Sequence, residues 1–327
     1  METCLKVVGL DVSKATLAVC HQLGPHLQHL DVPNTQAGFR HLVRCCGDAS
    51  LYVLEATGTY YLALAYQLVA VGAPVAVVNP LVVKRFIQMH LGKGKSDRKD
   101  AQWLLRYGQQ QPTPRWQPEE ALLVECRQVE QTTELLIRQK TMVHNALEAL
   151  QQQPVVSPMV LQQLQQSLCR LEEQVRQLEA ELLTKVQQRY PEQLPLLCSI
   201  PGIGRKTAAL LLVFANGFTQ VQNYRQLIAK AGLCPREFSS GTSVRGQARI
   251  TKLGGGLIRS KLYMCSWSAC KANAACRLLY ERLVTKGKNK KLALIAVCNK
   301  LLKQAVAIVK SGTPYQPDFT KKLALNA

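Results

Sequence analysis

A chain of 327 residues with 47% hydrophobic content is long enough for two or three domains with buried cores, which excludes a disordered tail or a small disulfide scaffold. Its net charge of +20 is uneven: 11 basic side chains face 7 acidic ones in residues 1–110, 8 face 10 in 111–190, and 22 face 4 in 191–327. The C-terminal part is therefore expected to meet a polyanion, nucleic acid ahead of an anionic membrane.

Twelve cysteines accompany no secretory pattern in residues 1–20, and Cys45-Cys46 lacks a second pair at zinc-ligand spacing, so reduced intracellular thiols and no structural zinc are expected. No uninterrupted apolar run reaches the ~18–20 residues of a membrane span; the nearest, residues 208–214, is far shorter.

Residues 5–10 form a β-rich apolar run ending at Asp11, and residues 15–20 resume strand character, which predicts a hairpin with Asp11 near its edge. Residues 50–54 predict a strand ending at Glu55, followed by a helix over 60–71, so Glu55 stands where open α/β sheets present ligands. A further strand over 73–78 ends at the turn signal Asn79-Pro80 and leads into another helix. Gly92-Lys-Gly-Lys-Ser-Asp-Arg-Lys-Asp100 then passes from basic loop into a helix through 101–107. Asp97 and Asp100, three apart, share a side of its start, among Lys93, Lys95, Arg98 and Lys99.

Alone, each acid is equally well explained as a cap or a turn residue. Together, Asp11, Glu55, Asp97 and Asp100 can meet at one sheet edge, where four carboxylates repel unless a cation compensates them. Mg2+ suits such hard oxygen donors, and a phosphate completes its shell.

Pro112-Thr-Pro-Arg-Trp-Gln-Pro118 separates this part, residues 1–110, from a polar helix over about 119–152. After a second break at 153–158, Leu161, Leu164, Leu168, Leu171, Val175, Leu178 and Leu182 recur at alternating three- and four-residue intervals. That seam predicts a long antiparallel coiled-coil or two-helix arm over 111–190, for packing or assembly; an intrachain hairpin and an intermolecular pairing both fit.

The basic region 191–327 reads as mainly helical. Ile200-Pro-Gly-Ile-Gly204 looks like the hairpin of a helix-hairpin-helix nucleic-acid module and introduces Arg205 and Lys206; the spacing is wrong for an ATP-binding phosphate loop. Helices are expected over 224–231, 257–270 and 292–309, with Tyr263 and Trp267, four apart, assigned to the core ahead of a place flanking a nucleic-acid surface. Lys286, Lys288, Lys290 and Lys291 form a basic loop suited to phosphate contact. Between these helices lies a hydroxyl-rich segment with three serines, Ser239, Ser240 and Ser243, flanked by Arg236, Arg245 and Arg249. Composition points to phosphate contact here without choosing an attacking hydroxyl, and no Ser-His-Asp hydrolase pattern is present.

Taken in order, Gly9-Leu-Asp11, Glu55-Ala-Thr-Gly-Thr-Tyr60, Asn79-Pro80, Lys95-Ser-Asp-Arg-Lys-Asp-Ala101, Ile200-Pro-Gly-Ile-Gly204, Ala231-Gly-Leu233 and Ser240-Gly-Thr-Ser-Val-Arg-Gly246 span nearly the whole chain. This combination closely resembles insertion-sequence transposases with an N-terminal DEDD, ribonuclease-H/resolvase-like domain and a C-terminal serine-transposase domain, the bridge-RNA-guided recombinases. The resemblance implies that Asp11, Glu55, Asp97 and Asp100 bind Mg2+ and that Ser240 attacks a phosphodiester, leaving a 5′-phosphoserine intermediate in a composite site. It also implies a bridge RNA pairing with donor and target DNA, a dimer assembling to a tetramer, and a cytoplasmic location, at the nucleoid during transposition. Two other readings stand beside it: an acidic-site nuclease indifferent to Ser240, and a noncatalytic nucleic-acid-binding protein.

Overall fold

The computed structural model describes residues 6–236, 239–240, 244–245 and 249–317, with backbone only for 239–240 and 244–245. The chain forms two compact units, Met1–Glu119 and Glu120–Ala327.

The first unit is built on a five-stranded mixed sheet in the order β3-β2-β1-β4-β5. Strands β1 (Val7–Val12), β2 (Thr16–Leu23) and β3 (His26–Pro33) form an antiparallel meander, whereas β4 (Leu51–Glu55) runs parallel to β1, and β5 (Val75–Val78) parallel to β4. Four helices complete it: α1 (Gln36–Cys46), α2 (Leu62–Ala70), α3 (Pro80–Met89) and α4 (Asp97–Gln110). Period-two alternation sends Val8, Leu10, Tyr52 and Leu54 to one face, packed with Phe39, Leu42, Leu64 and Leu68. Val7, Leu51 and Val53 go to the other face, against Val83, Ala101, Leu104 and Leu105. Because both faces are covered, the central strands are continuously apolar, as parallel strands buried on both sides must be. This is the ribonuclease-H or resolvase-like α/β layering expected from the sequence.

Helix starts follow local chemistry. Asn79 accepts from the Leu81 amide with Pro80 at the first helical position of α3, and Ser96 accepts from the Lys99 amide to cap α4. Helix α4 approaches the sheet unusually closely. A Cβ on Gly9 would lie 2.0 Å from the Ala101 carbonyl oxygen and 2.3 Å from the Leu105 amide nitrogen, and one on Gly108 would meet Val53 and Val7 at 2.6 and 2.8 Å.

The second unit is mainly helical. Its first two helices, α5 (Ala121–Gln151) and α6 (Pro158–Arg189), form a hairpin within the chain. The ion pairs Glu120–Arg189, Glu125–Lys185 and Lys140–Glu172, at 2.8, 2.7 and 3.7 Å, fix its antiparallel register while contributing little energy at such exposed positions. The α6 seam of Leu161, Leu164, Leu168, Leu171, Val175 and Leu178 is half-buried, becoming fully buried at Leu182 and Val186.

Below the hairpin, α7 (Gln193–Cys198), α8 (Arg205–Phe214), α9 (Tyr224–Lys230), α10 (Gly256–Ala272), α11 (Ala274–Thr285) and α12 (Lys290–Ser311) surround one core. Between α9 and α10 run four two-residue strands: β6 (Pro235–Arg236) pairs with β9 (Arg249–Ile250), and β7 (Ser239–Ser240) with β8 (Val244–Arg245). Helix α12 is long and apolar enough to cross a membrane by length and composition, but half of its apolar window is buried, and Val297, Leu301, Leu302 and Ala305 belong to the core of this unit.

Asn273, fully buried where α10 meets α11, joins these helices. Its side chain accepts from the Cys276 amide and the Tyr315 hydroxyl, at 3.2 and 3.0 Å, and donates to Gln304 at 3.0 Å. The Tyr263 ring packs against the core as expected, whereas Trp267 leaves half its surface exposed, at 50%. Its position on α10 turns it outward, which the helical periodicity alone had not separated from Tyr263.

Candidate active site

The acidic site lies in the first unit. Leu10 on β1 pairs with Leu54 on the parallel β4, so Asp11 and Glu55 follow side by side at the carboxyl ends of two adjacent strands. Asp11 shares the face of Gly9, the face to which α4 is packed, because residues two apart on a strand point the same way. Asp97 and Asp100 sit in the first turn of α4, where the helix dipole favours negative charge. The close approach permitted at Gly9 thus brings the start of α4 over the end of β1. Thr57 donates to Glu55 Oε1 at 2.8 Å and restrains that carboxylate.

The four acids influence one another. Asp11 is pushed up to about 6 by burial, and then by the charges of Asp100, Asp97 and Glu55, with Lys95 partly offsetting them. Asp100 is raised as well, first by burial, then with Lys95 lowering and Asp97 raising it. Carboxylates that resist ionisation because they are partly buried and, next, because like charges lie near them are a donor set that a divalent cation would relieve. Among the described residues, however, no three His, Cys, Asp or Glu side chains form a group able to hold a metal ion. The donor chemistry fits a hard cation; the preformed four-carboxylate shell expected from the sequence is not seen.

Basic side chains near the acids divide by partner. Arg98 is bound to Asp31 at 3.1 Å, and Lys99 donates to the Lys93 carbonyl at 3.4 Å, while Lys93 and Lys95 are exposed.

Ser240 lies on the backbone of β7, opposite Val244, with Ser239 opposite Arg245. Ser243, Gly241 and Gly246 fall outside the described residues. On the neighbouring ladder Arg236 stands directly opposite Arg249, both exposed; like charges in that register repel, so an anion between them would be stabilising. Arg205 is exposed at the start of α8, but Lys206 is paired with Glu179 of α6 and so ties the core to the hairpin. Gly202 has φ +102°, and a Cβ there would meet Ala269 at 2.7 Å, so this glycine serves the packing of α10 as well as the turn. Lys286, Lys288, Lys290 and Lys291 are all exposed around the start of α12.

Sequence reasoning passed over Trp103 and Arg106 on α4, whose guanidinium lies 5.4 Å from the indole centroid; their i,i+3 spacing was the available signal.

Two family models match this chain. One, described as transposase and of the DEDD, IS110 type, covers residues 8–154; the other, described as transposase IS116/IS110/IS902 family, covers residues 194–281. Pilin gene-inverting proteins of Moraxella bovis and Moraxella lacunata are each 29% identical over 321 residues, spanning 94% of this chain and 97% of theirs. An uncharacterized 43.6 kDa protein of insertion element IS110 from Streptomyces coelicolor is 30% identical over 181 residues, 54% of this chain and 44% of its own.

Proposed function

The chain belongs to the IS116/IS110/IS902 transposase family, a family of DNA-recombining enzymes, and from that premise we propose that it is a bridge-RNA-guided recombinase working through a 5′-phosphoserine intermediate. The observation that supports the proposal is that Asp11 and Glu55 stand at adjacent strand ends, where the charges of Asp97 and Asp100 at the start of α4 reach Asp11. The full-length likeness to proteins named for inverting a pilin gene supports strand exchange over simple hydrolysis.

In this reading the Ser240 hydroxyl oxygen attacks a backbone phosphorus. An O–P bond forms to the serine, the bond to the 3′ oxygen breaks, and the hydroxyl proton ends on that oxygen. The phosphoserine ester conserves the bond energy, so a 3′ hydroxyl of the partner strand can reverse the step and join the exchanged strands. Arg236 and Arg249, opposed across their ladder, would flank the phosphate and offset its developing charge. Asp11, Glu55, Asp97 and Asp100 would hold Mg2+, which when bound supplies positive charge to the reacting phosphate. A bridge RNA pairing with donor and target DNA would select the sequences, with the exposed basic side chains of the second unit holding backbone phosphates. Assembly as a dimer of dimers would let separate subunits serve donor and target.

The test incubates protein, Mg2+, candidate bridge RNA and matched donor and target DNA with wild type and Ser240→Ala. The expected result is a protease-sensitive protein–DNA adduct and recombined junctions, both lost in the variant. Cleavage persisting in Ser240→Ala would replace the proposal with an acidic-site nuclease.

A further inference from the structure

On α4, the helix that carries Asp97 and Asp100, a second surface faces away from the sheet. Residues 99, 102, 103 and 106 recur at helical spacing on the side opposite Ala101, Leu104 and Leu105, which are buried. Lys99, Gln102, Trp103 and Arg106, together with Lys93 from the preceding loop, line a cleft of about 170 Å³. That is below the ~300–1,000 Å³ of a site enclosing a whole small molecule, so it can seat only part of a ligand, such as a base or a phosphate.

The cleft has a built wall. The ring centroids of Phe86 and His90 lie 6.2 and 5.8 Å from that of Trp103, and the loop passes so close that a Cβ on Gly92 would meet the indole at 2.7 Å. The Lys99 ammonium ties the loop to the helix through the Lys93 carbonyl, and the Arg106 guanidinium lies over the indole. Among the described residues none of Lys93, Lys99 and Arg106 forms an ion pair with a carboxylate, so three cations without a direct counter-ion line the cleft with an aromatic surface. Their chemistry matches a phosphodiester with an unpaired base. The cations meet the phosphate, and the Trp103–Arg106 pair offers planes for the base.

We propose that this cleft binds an unpaired nucleotide of the DNA strand being processed, a few nucleotides from the acids. The proposal rests on the transposase reading, which supplies the DNA. Six to nine residues of α4 separate Asp97 and Asp100 from Arg106, roughly 9–14 Å along the axis, and the strand must also pass around the ~10 Å width of the helix, since the cleft and the acids lie on different sides of it. The cleft would keep the strand unpaired and in register beside the acidic site.

The test measures, without Mg2+, the anisotropy of labelled oligothymidine and of an abasic strand of equal length with wild type, Trp103→Ala, Trp103→Leu and Arg106→Gln. Trp103→Ala and Trp103→Leu are expected to weaken oligothymidine roughly five- to hundredfold while leaving the abasic strand unchanged, since stacking needs a base. Arg106→Gln is expected to weaken both and lower the salt slope by about 0.7. Equal binding of oligothymidine by wild type and both tryptophan variants overturns the proposal, as does an equal loss on both strands. Should the tryptophan variants fail to fold, an unchanged salt slope in Arg106→Gln overturns it. A wild type that forms the phosphoserine adduct but shows no dependence on Trp103 removes the cleft and keeps the transposase reading. Base-dependent binding without any adduct does the reverse.

Discussion

Gly9→Ala is the smallest change that should separate the two halves of the acidic site. The added methyl would sit 2.0 Å from the Ala101 carbonyl oxygen and 2.3 Å from the Leu105 amide nitrogen, against ordinary van der Waals contact beginning near 3.4 Å. Both obstacles are helix backbone, so no side chain can swing aside. Helix α4 must retreat from β1 by about 1 Å or more, at a cost near the top of the ~1–3 kcal/mol range for overpacking. For a domain of this size, that lowers the Tm of the first unit by roughly 10 °C. Since α4 carries Asp97 and Asp100 and β1 carries Asp11, the same displacement should cost on the order of a hundredfold in strand cleavage, more than the lost stability explains at 25 °C. Thermal melts and single-turnover cleavage at 25 °C read the two effects. Gly204→Ala is the control, with φ −81° and no atom within 4 Å of its added methyl; it should melt within about 2 °C of wild type. A Gly9→Ala protein with unchanged Tm and cleavage would refute the account of how α4 is seated.

Two further outcomes follow from charge. Asp11 holds its proton to about 6 in the native state against an ordinary 3.8, so the native state binds the proton more tightly and stability falls as pH rises through that interval. Asp11→Asn removes the burial cost of the charge and the repulsion it meets; in EDTA at pH 8 it should be more stable than wild type by about 1 kcal/mol after discounting for partial exposure, while cleavage is lost, and a less stable variant in urea melts would contradict the argument. Glu130, on α5, is pushed up to about 7 by burial and then by Glu134, with Arg127 and Lys261 offsetting; the second unit should therefore lose about 1–2 kcal/mol between pH 4.5 and 7, and Glu130→Gln should flatten that slope in melts across pH 5–8.

What the sequence makes legible depends on how many surfaces an element shows to water. Strands β1, β4 and β5 are covered on both faces and leave unbroken apolar runs ending at Asp11, Glu55 and Asn79. Strand β3 is an edge strand whose first four residues, His26 to His29, are exposed, so its apolar signal is confined to Leu30 and Val32 at its end. The same contrast divides the hairpin. The α6 seam is nearly all leucine, but its partner on α5 runs through Cys126, Val129, Thr133, Leu136, Lys140, Val143, Leu147 and Leu150, where a threonine and a lysine interrupt the apolar repeat. Asn273 had no signal at all, because one buried amide joining three helices has no period. The acids were legible as strand ends and a helix start, whereas the Trp103 cleft depends on the Gly92 loop folding back over α4, which local spacing does not encode.

The hairpin is a zipper with unequal ends. Its root is locked into the core by Leu123, Cys126, Leu182 and Val186, while near the turn Met142, Val155 and Met159 stand 71%, 85% and 73% exposed. Little apolar area is sealed at the turn end, so opening its last turns should cost far less than global unfolding, and amide exchange should slow steadily toward the root. The loop of residues 152–157 keeps the two helices joined at that end, so the hairpin loosens by unwinding its outer turns while its root stays fixed in the core.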